Sequence, residues 1–251
     1  MKTILITGAT SGIGQAIAWR FAKEGYALIL TGRRNDRLET LKKDIEDRYQ
    51  AKVCTLCFDV REYNQVETAV HSLPEEWKTI DILVNNAGLA AGFAPIHNAL
   101  LSDWEQMIDT NIKGLLYVTR VISPGMVDRK SGHIINIGSI AGQTVYPNGA
   151  VYSATKHAVK ALSLGMRMDL LPYGIRVTEV RPGAVVTEFS LVRFKGDQQR
   201  ADQVYQGFTP LVAEDIADTV YYAVSQPSHV NIQELLIMPT AQADVTLIHR
   251  E

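Results

Sequence analysis

Tyr152 stands four positions before Lys156 in the stretch VYSATKHAVK (151–160). On a helix this spacing puts both side chains on one face. A free phenol titrates near ~10 and is a poor acid or base at neutral pH. A nearby ammonium favours the phenolate and draws that value down, toward the range where a general acid or base works well. The same two residues also fit an exposed helical pair. The rest of the chain decides between the two.

A second group of residues suits a nucleotide. TGATSGIG (7–14) follows an apolar run and opens a helical pattern. Gly8, Gly12 and Gly14 permit a tight turn and let the backbone approach a pyrophosphate, with Thr10, Ser11 and Ile13 completing the loop. The helix start offers free N–H groups and the positive end of a dipole. In LTGRRNDRL, Gly32 holds the position where an acidic residue would bind the ribose 2′-hydroxyl of NAD. Arg33 and Arg34 follow it, and guanidinium suits the 2′-phosphate of NADP through paired, charge-assisted bonds. The expected cofactor is therefore NADP(H). FDV (58–60) and NNAG (85–88) each end a further apolar run. Ligands of open α/β sheets bind at such strand ends. This places Asp59 and Val60 at the adenine edge, and Asn86, Ala87 and Gly88 along the adenosine side.

These residues need a frame. Seven short apolar runs recur: TILIT (3–7), YALILT (26–31), KVCTLCF (52–58), IDILVNN (80–86), HIINIG (133–138), IRVTEV (175–180) and ELLIMP (234–239). Several are continuous in Ile, Leu and Val, as strands buried on both faces of a parallel sheet are. Amphipathic stretches separate them. In 35–49, Leu38, Leu41, Ile45 and Tyr49 repeat at helical spacing, with Asn35 or Asp36 as cap. Ser102 and Glu105 read as a capping box, and Gly25 as a helix stop. Pro124-Gly125 should kink or divide the helix over 102–129. Alternating β and α elements imply right-handed crossovers. The expected fold is α/β, a doubly wound Rossmann-type parallel sheet flanked by helices, in a single domain spanning 1–251.

Composition narrows the class. With 251 residues, 46% of them hydrophobic, the chain can build one large core. A net charge of −2 leaves no basic footprint for nucleic acid. No run approaches the ~20 apolar residues of a membrane span. The opening MKTILITGAT lacks the apolar length of a signal peptide, about 7–15 residues. The expectation is a cytoplasmic protein without membrane or nucleic-acid partners. Cys54 and Cys57 fall three apart on a strand pattern, so they face opposite sides and are expected as two buried structural thiols. The six histidines are scattered, and no metal site is expected.

The chain resembles the short-chain dehydrogenases/reductases. The matching stretches are TGATSGIG, NNAG, Asn111 in DTNIKG, Ser139 in NIGSIAG, YSATK, and PGAVVT (182–187). Within that family, SLPEEWKTIDILVNNAGLA, DWEQMIDTNIKGL, GHIINIGSIAG, TEFSLVRFKGD and HVNIQELLIMPT look like the NADP-dependent 3-hydroxy acid dehydrogenases, including the serine and L-allo-threonine dehydrogenases. The resemblance implies that Tyr152 is the general acid/base and that Lys156 also holds the nicotinamide ribose. It further implies that Ser139 bonds the substrate oxygen, that Asn111 holds a relay water, and that Pro182, Gly183, Val185 and Thr187 close over the nicotinamide. A homotetramer is implied, with 102–129 and 150–171 packed between subunits.

Two departures flank the expected substrate pocket: Arg181 stands where that subgroup is acidic, and the loop after Pro182-Gly183 is one residue shorter. Residues 188–210 are expected to form a substrate lid. It carries Arg193, whose planar fork suits a substrate carboxylate, with Arg181 and Lys195 as rivals. A broad carbonyl or 3-oxoacyl reductase is the alternative enzyme. A non-catalytic NADP-binding regulator and a Rossmann-type methyltransferase are the alternatives of other classes.

Overall fold

The computed structural model describes residues 1–251. Its centre is a seven-stranded sheet: β1 (Thr3–Ile6), β2 (Ala27–Gly32), β3 (Val53–Cys57), β4 (Ile82–Asn85), β5 (His133–Ile137), β6 (Arg176–Pro182) and β7 (Glu234–Ile237). All neighbours pair in parallel, in the order β3-β2-β1-β4-β5-β6-β7. The chain runs outward from β1 to β3, returns, and continues from β4 on the other side. That reversal opens a crevice beyond the carboxyl ends of β1 and β4.

The helices are α1 (Gly12–Lys23), α2 (Asn35–Tyr49), α3 (Tyr63–His71), α4 (Leu101–Ile108), α5 (Leu115–Arg129), α6 (Ala150–Leu170), α7 (Phe189–Arg193), α8 (Gln198–Gln203) and α9 (Ala213–Ser225). Strand side chains alternate between faces. Ile4 and Ile6 therefore pack with α1, α2 and α9, whereas Leu5 packs with α3, α5 and α6. Both faces are covered, which is why β1 is apolar at every position after Thr3. No helix is long and apolar enough to cross a membrane.

Four local expectations are corrected. Cys57 is exposed and Cys54 only partly buried, because β3 is an edge strand. Arg34, not Asn35 or Asp36, occupies the cap position of α2, and no side chain caps it. Leu100 is the cap residue of α4, so Ser102 and Glu105 lie inside the helix and form no box. Asp103 holds that register: it lies against Gly92 and pairs with Lys195 at 2.9 Å. Finally, α5 runs unbroken through Pro124. Pro124 is on the exposed face, where water can take up the carbonyl it leaves unpaired. The stretch divides earlier, at a π-helical segment over Asp109–Gly114 that contains Asn111.

Candidate active site

A cleft of about 490 Å³ runs along the crevice, from the loop after β1 to the segment after β6. At one end lies the glycine loop. Gly8 has φ +67°, and a methyl group on Gly14 would collide with the Gly8 carbonyl oxygen. Ser11 precedes α1 but makes no side-chain cap. Its hydroxyl instead accepts from Arg34 Nη2 at 2.9 Å. The first N–H groups of α1 are thus left for an anion. Arg34 also donates to Thr10 Oγ1 at 2.9 Å, and pairs with Glu188 at 3.1 Å. Arg37 holds the other oxygen of Glu188 at 2.7 Å. Two guanidinium groups around one carboxylate, beside an uncapped helix start, fit a phosphorylated dinucleotide. Arg33 is the more exposed arginine and lies 3.7 Å from Asp59.

Asp59 and Val60 line the cleft as expected. Burial works to raise the Asp59 carboxyl, but hydrogen bonds from Arg61, at 2.6 Å to its Nη2, hold it below the ordinary value. Asn86, Ala87 and Gly88 also line the cleft. The Asn86 amide is engaged within the protein, donating to the Thr7 and Gly8 carbonyls at 2.8 and 3.2 Å. It therefore ties the β4 loop to the glycine loop.

At the other end Ser139, Tyr152 and Lys156 are brought together, all buried. Tyr152 and Lys156 share one face of α6. Ser139 follows β5 and caps a short 3₁₀ turn, its hydroxyl accepting from the Ala141 N–H at 3.1 Å. Lys156 Nζ donates to the Ile137 carbonyl at 2.9 Å. Burial draws its pKa down to about 8. Burial also pushes the Tyr152 phenol far above its ordinary value; the Tyr146 phenol adds to this, while a bond with Ser139 and the charge of Arg193 oppose it. The phenol thus stands above its ordinary value, against the expected lowering, and burial is the largest cause. The Lys156 ammonium is turned to Ile137, 5.9 Å from the centre of the Tyr152 ring.

Asn111 lies beside them, but both sides of its amide are occupied. Oδ1 accepts from the Leu89 N–H at 2.9 Å, and Nδ2 donates to the Leu89 carbonyl and Thr155 Oγ1. The amide nitrogen is fully engaged, and the oxygen keeps one further lone pair.

Pro182, Gly183, Val185 and Thr187 line the cleft between its two ends. Beyond them, Arg193 reaches the reaction end from α7. Its guanidinium lies 4.7 Å from the Phe93 ring centre and 5.2 Å from that of Tyr146, with no carboxylate partner. Its rivals are elsewhere: Lys195 is paired with Asp103, and Arg181 is buried behind the cleft and bonded to Glu234 at 2.6 Å. Sequence reasoning missed Tyr146, Glu188, Tyr205 and Gln242, all of which line the cleft. Tyr205 donates to the Val185 carbonyl at 2.9 Å and bonds Ser190 at 2.8 Å. Gln242 accepts from the Ala184 N–H at 2.8 Å. None of the four stands in a local pattern that marks it.

The model of the family described as short chain dehydrogenase matches residues 2–197. The chain is 49% identical over 249 residues to an NADP-dependent 3-hydroxy acid dehydrogenase of Salmonella typhi, covering 98% of this chain and 99% of that protein. It is 46% identical over 241 residues to a serine 3-dehydrogenase of Agrobacterium fabrum, covering 96% of this chain and 95% of that one. Among solved structures, the closed form of a serine dehydrogenase complexed with NADP+ superposes with a TM-score of 0.93 at 49% identity, over 99% of this chain and all of that one. With the cleft, its glycine loop and its Ser-Tyr-Lys end in place, the chain belongs to the short chain dehydrogenase family.

Proposed function

We propose that the chain is an NADP-dependent oxidoreductase that moves a hydride between nicotinamide and the hydroxyl or carbonyl carbon of a small 3-hydroxy acid, of the serine, allo-threonine, 3-hydroxypropionate or 3-hydroxybutyrate type. The observation that carries this reading is one cleft with Arg33, Arg34 and the glycine loop at one end and Ser139, Tyr152, Lys156 and Arg193 at the other. Relatives named for NADP and for 3-hydroxy acids or serine support it.

Bound nicotinamide supplies or accepts the hydride. Tyr152 gives its proton to the carbonyl oxygen in reduction and takes it back in oxidation. Ser139 donates to the same oxygen and steadies its developing charge. Lys156, on the Tyr152 face of α6, would hold the nicotinamide ribose hydroxyls, and Pro182 to Thr187 would line the nicotinamide side of the cleft. Asn111 holds a relay water through the remaining lone pair of its Oδ1, while its amide ties the π-helical turn to Leu89 and Thr155. Arg193 takes the substrate carboxylate. Residues 188–210 act as the lid, tied down through Tyr205 and by the Gly92 N–H on the Arg193 carbonyl at 3.0 Å.

A homotetramer is supported by exposed apolar side chains on the proposed interface helices, among them Leu116, Leu164 and Met168. The free thiols suit a reducing, cytoplasmic setting. A second chamber of about 240 Å³ lies beyond Tyr152 and Arg193, and it favours a second reading, a broader carbonyl or 3-oxoacyl reductase. A panel of 3-hydroxy acids, neutral alcohols and 3-oxoacyl thioesters, assayed with NADP+ or NADPH, separates the readings. The highest kcat/KM is expected on 3-hydroxy acids. Preference for neutral carbonyls or thioesters would favour the second reading, and no turnover at all would leave the regulator.

A further inference from the structure

Behind the reaction end lies a buried charge that the reaction does not use. Glu179 is on β6, in register with Asn136 of β5, and is fully buried. Neither of its carboxylate oxygens has a hydrogen-bond partner. A carboxylate in that state is costly unless other charges answer it. Arg181, on the same face of β6, brings its Nε to 4.0 Å, and that nitrogen is also without a hydrogen bond. The far end of Arg181 belongs to Glu234 of β7. From α6, Lys156, Lys160 and Arg167 are within electrostatic reach of the carboxyl group. Glu179 also lies against Gly138, the residue that follows Ile137. A methyl group at residue 138 would collide with the Glu179 Oε1, and Lys156 Nζ bonds the carbonyl of Ile137 at 2.9 Å. One buried carboxyl group and one buried ammonium thus meet adjoining residues, Gly138 and Ile137, immediately before Ser139.

We propose that Glu179 is a positioning residue for the reaction, the buried counter-charge that keeps Lys156 protonated and held at the Ile137–Gly138 peptide. This rests on the hydride-transfer reading above. Burial draws Lys156 down to about 8, and Glu179 is the charge that opposes the fall. Without it the ammonium loses its proton at a lower pH, closer to neutrality. Burial raises the Glu179 carboxyl; Arg181 resists this first, Glu234 adds to it, and Lys156 and Lys160 resist it further. Arg181 therefore acts on the site from behind, opposing the rise of the Glu179 carboxyl.

The test compares wild type with Glu179→Gln, following kcat/KM for NADPH-dependent reduction against pH. The alkaline limb, where Lys156 loses its proton, is expected at lower pH in the variant by about one unit, tenfold in proton concentration. Glu179→Asp keeps the charge one methylene further back and should fall between the two. The same comparison is made without turnover, from the 13Cε shift of Lys156 against pH. An unmoved limb and an unmoved Lys156 midpoint overturn the inference and leave Glu179 a structural residue. If the Gln variant does not fold, the Asp variant decides by the same criterion. If wild-type enzyme reduces no carbonyl, the hydride-transfer reading fails, and the Lys156 midpoint still decides the role of Glu179.

Discussion

The two ends of the cleft hold their charges in opposite ways. At the glycine-loop end the cations reach the surface: the Arg33 side chain is 56% exposed, and Arg34 and Arg37 share a half-buried carboxylate, Glu188. Water screens such contacts, so each is worth little alone and several act together. At the reaction end Lys156 is only 6% exposed, and its nearest bond is to a backbone carbonyl. There desolvation dominates and moves both titratable groups, the phenol up and the ammonium down. Binding a phosphate needs only that charge be present and reachable. Moving a proton depends on how tightly a group holds it, and at the reaction end that is set by burial, which solvated side chains escape.

Substitutions at the two ends should therefore differ in size and in kind. The largest effect is expected from Tyr152→Phe, which removes one hydroxyl and keeps the ring. kcat should fall by roughly 10²–10⁴-fold while NADPH binding and thermal stability hold. Retention of more than about a tenth of wild-type kcat would refute the acid/base role and erase the contrast between the ends. Next comes Arg193→Ala. The ratio of kcat/KM for a 3-hydroxy acid over a neutral alcohol should drop by roughly thirtyfold or more, since losing a buried charged contact costs at least about 2 kcal/mol. Lysine at 193 should restore only part, lacking the planar fork. An unchanged ratio would remove Arg193 from substrate recognition. The smallest effect is expected from replacing Arg33 and Arg34 together with alanine. Charge-assisted bonds lost at an exposed site should weaken NADPH by about tenfold and leave NADH nearly unchanged, the loss being limited because Glu188 already competes for Arg34. Equal losses for both cofactors would falsify the assignment of the phosphate end.

How far each feature was legible follows from how local its cause is. The central strands were readable because strands buried on both faces are largely apolar, and all seven runs became strands within about two residues of their expected ends. The helix caps were misread where a distant partner sets the register, as Lys195 does for Asp103 in α4. Cys57 was misread because edge or centre is a property of strand order, which no single run contains. Glu188 and Gln242 were missed because each works through a partner far away in sequence, Arg34 and Ala184.

By itself the sequence determined the alternating β and α elements, the glycine loop at the first helix start, the arginines after Gly32 and the shared face of Tyr152 and Lys156. Each depends on spacing or on backbone freedom within a few residues. Only the tertiary structure decided which cation opens into the Ser139–Tyr152 end of the cleft and which way burial moves Lys156. Arg181 and Arg193 are the same residue type on either side of one loop, yet one is sealed between Glu179 and Glu234 and the other opens into the cleft. The pKa of Lys156 depends on removal from water and on Glu179, both supplied by chain segments that meet it only in the fold. Desolvation is set by everything packed around a group, and local sequence holds only part of that.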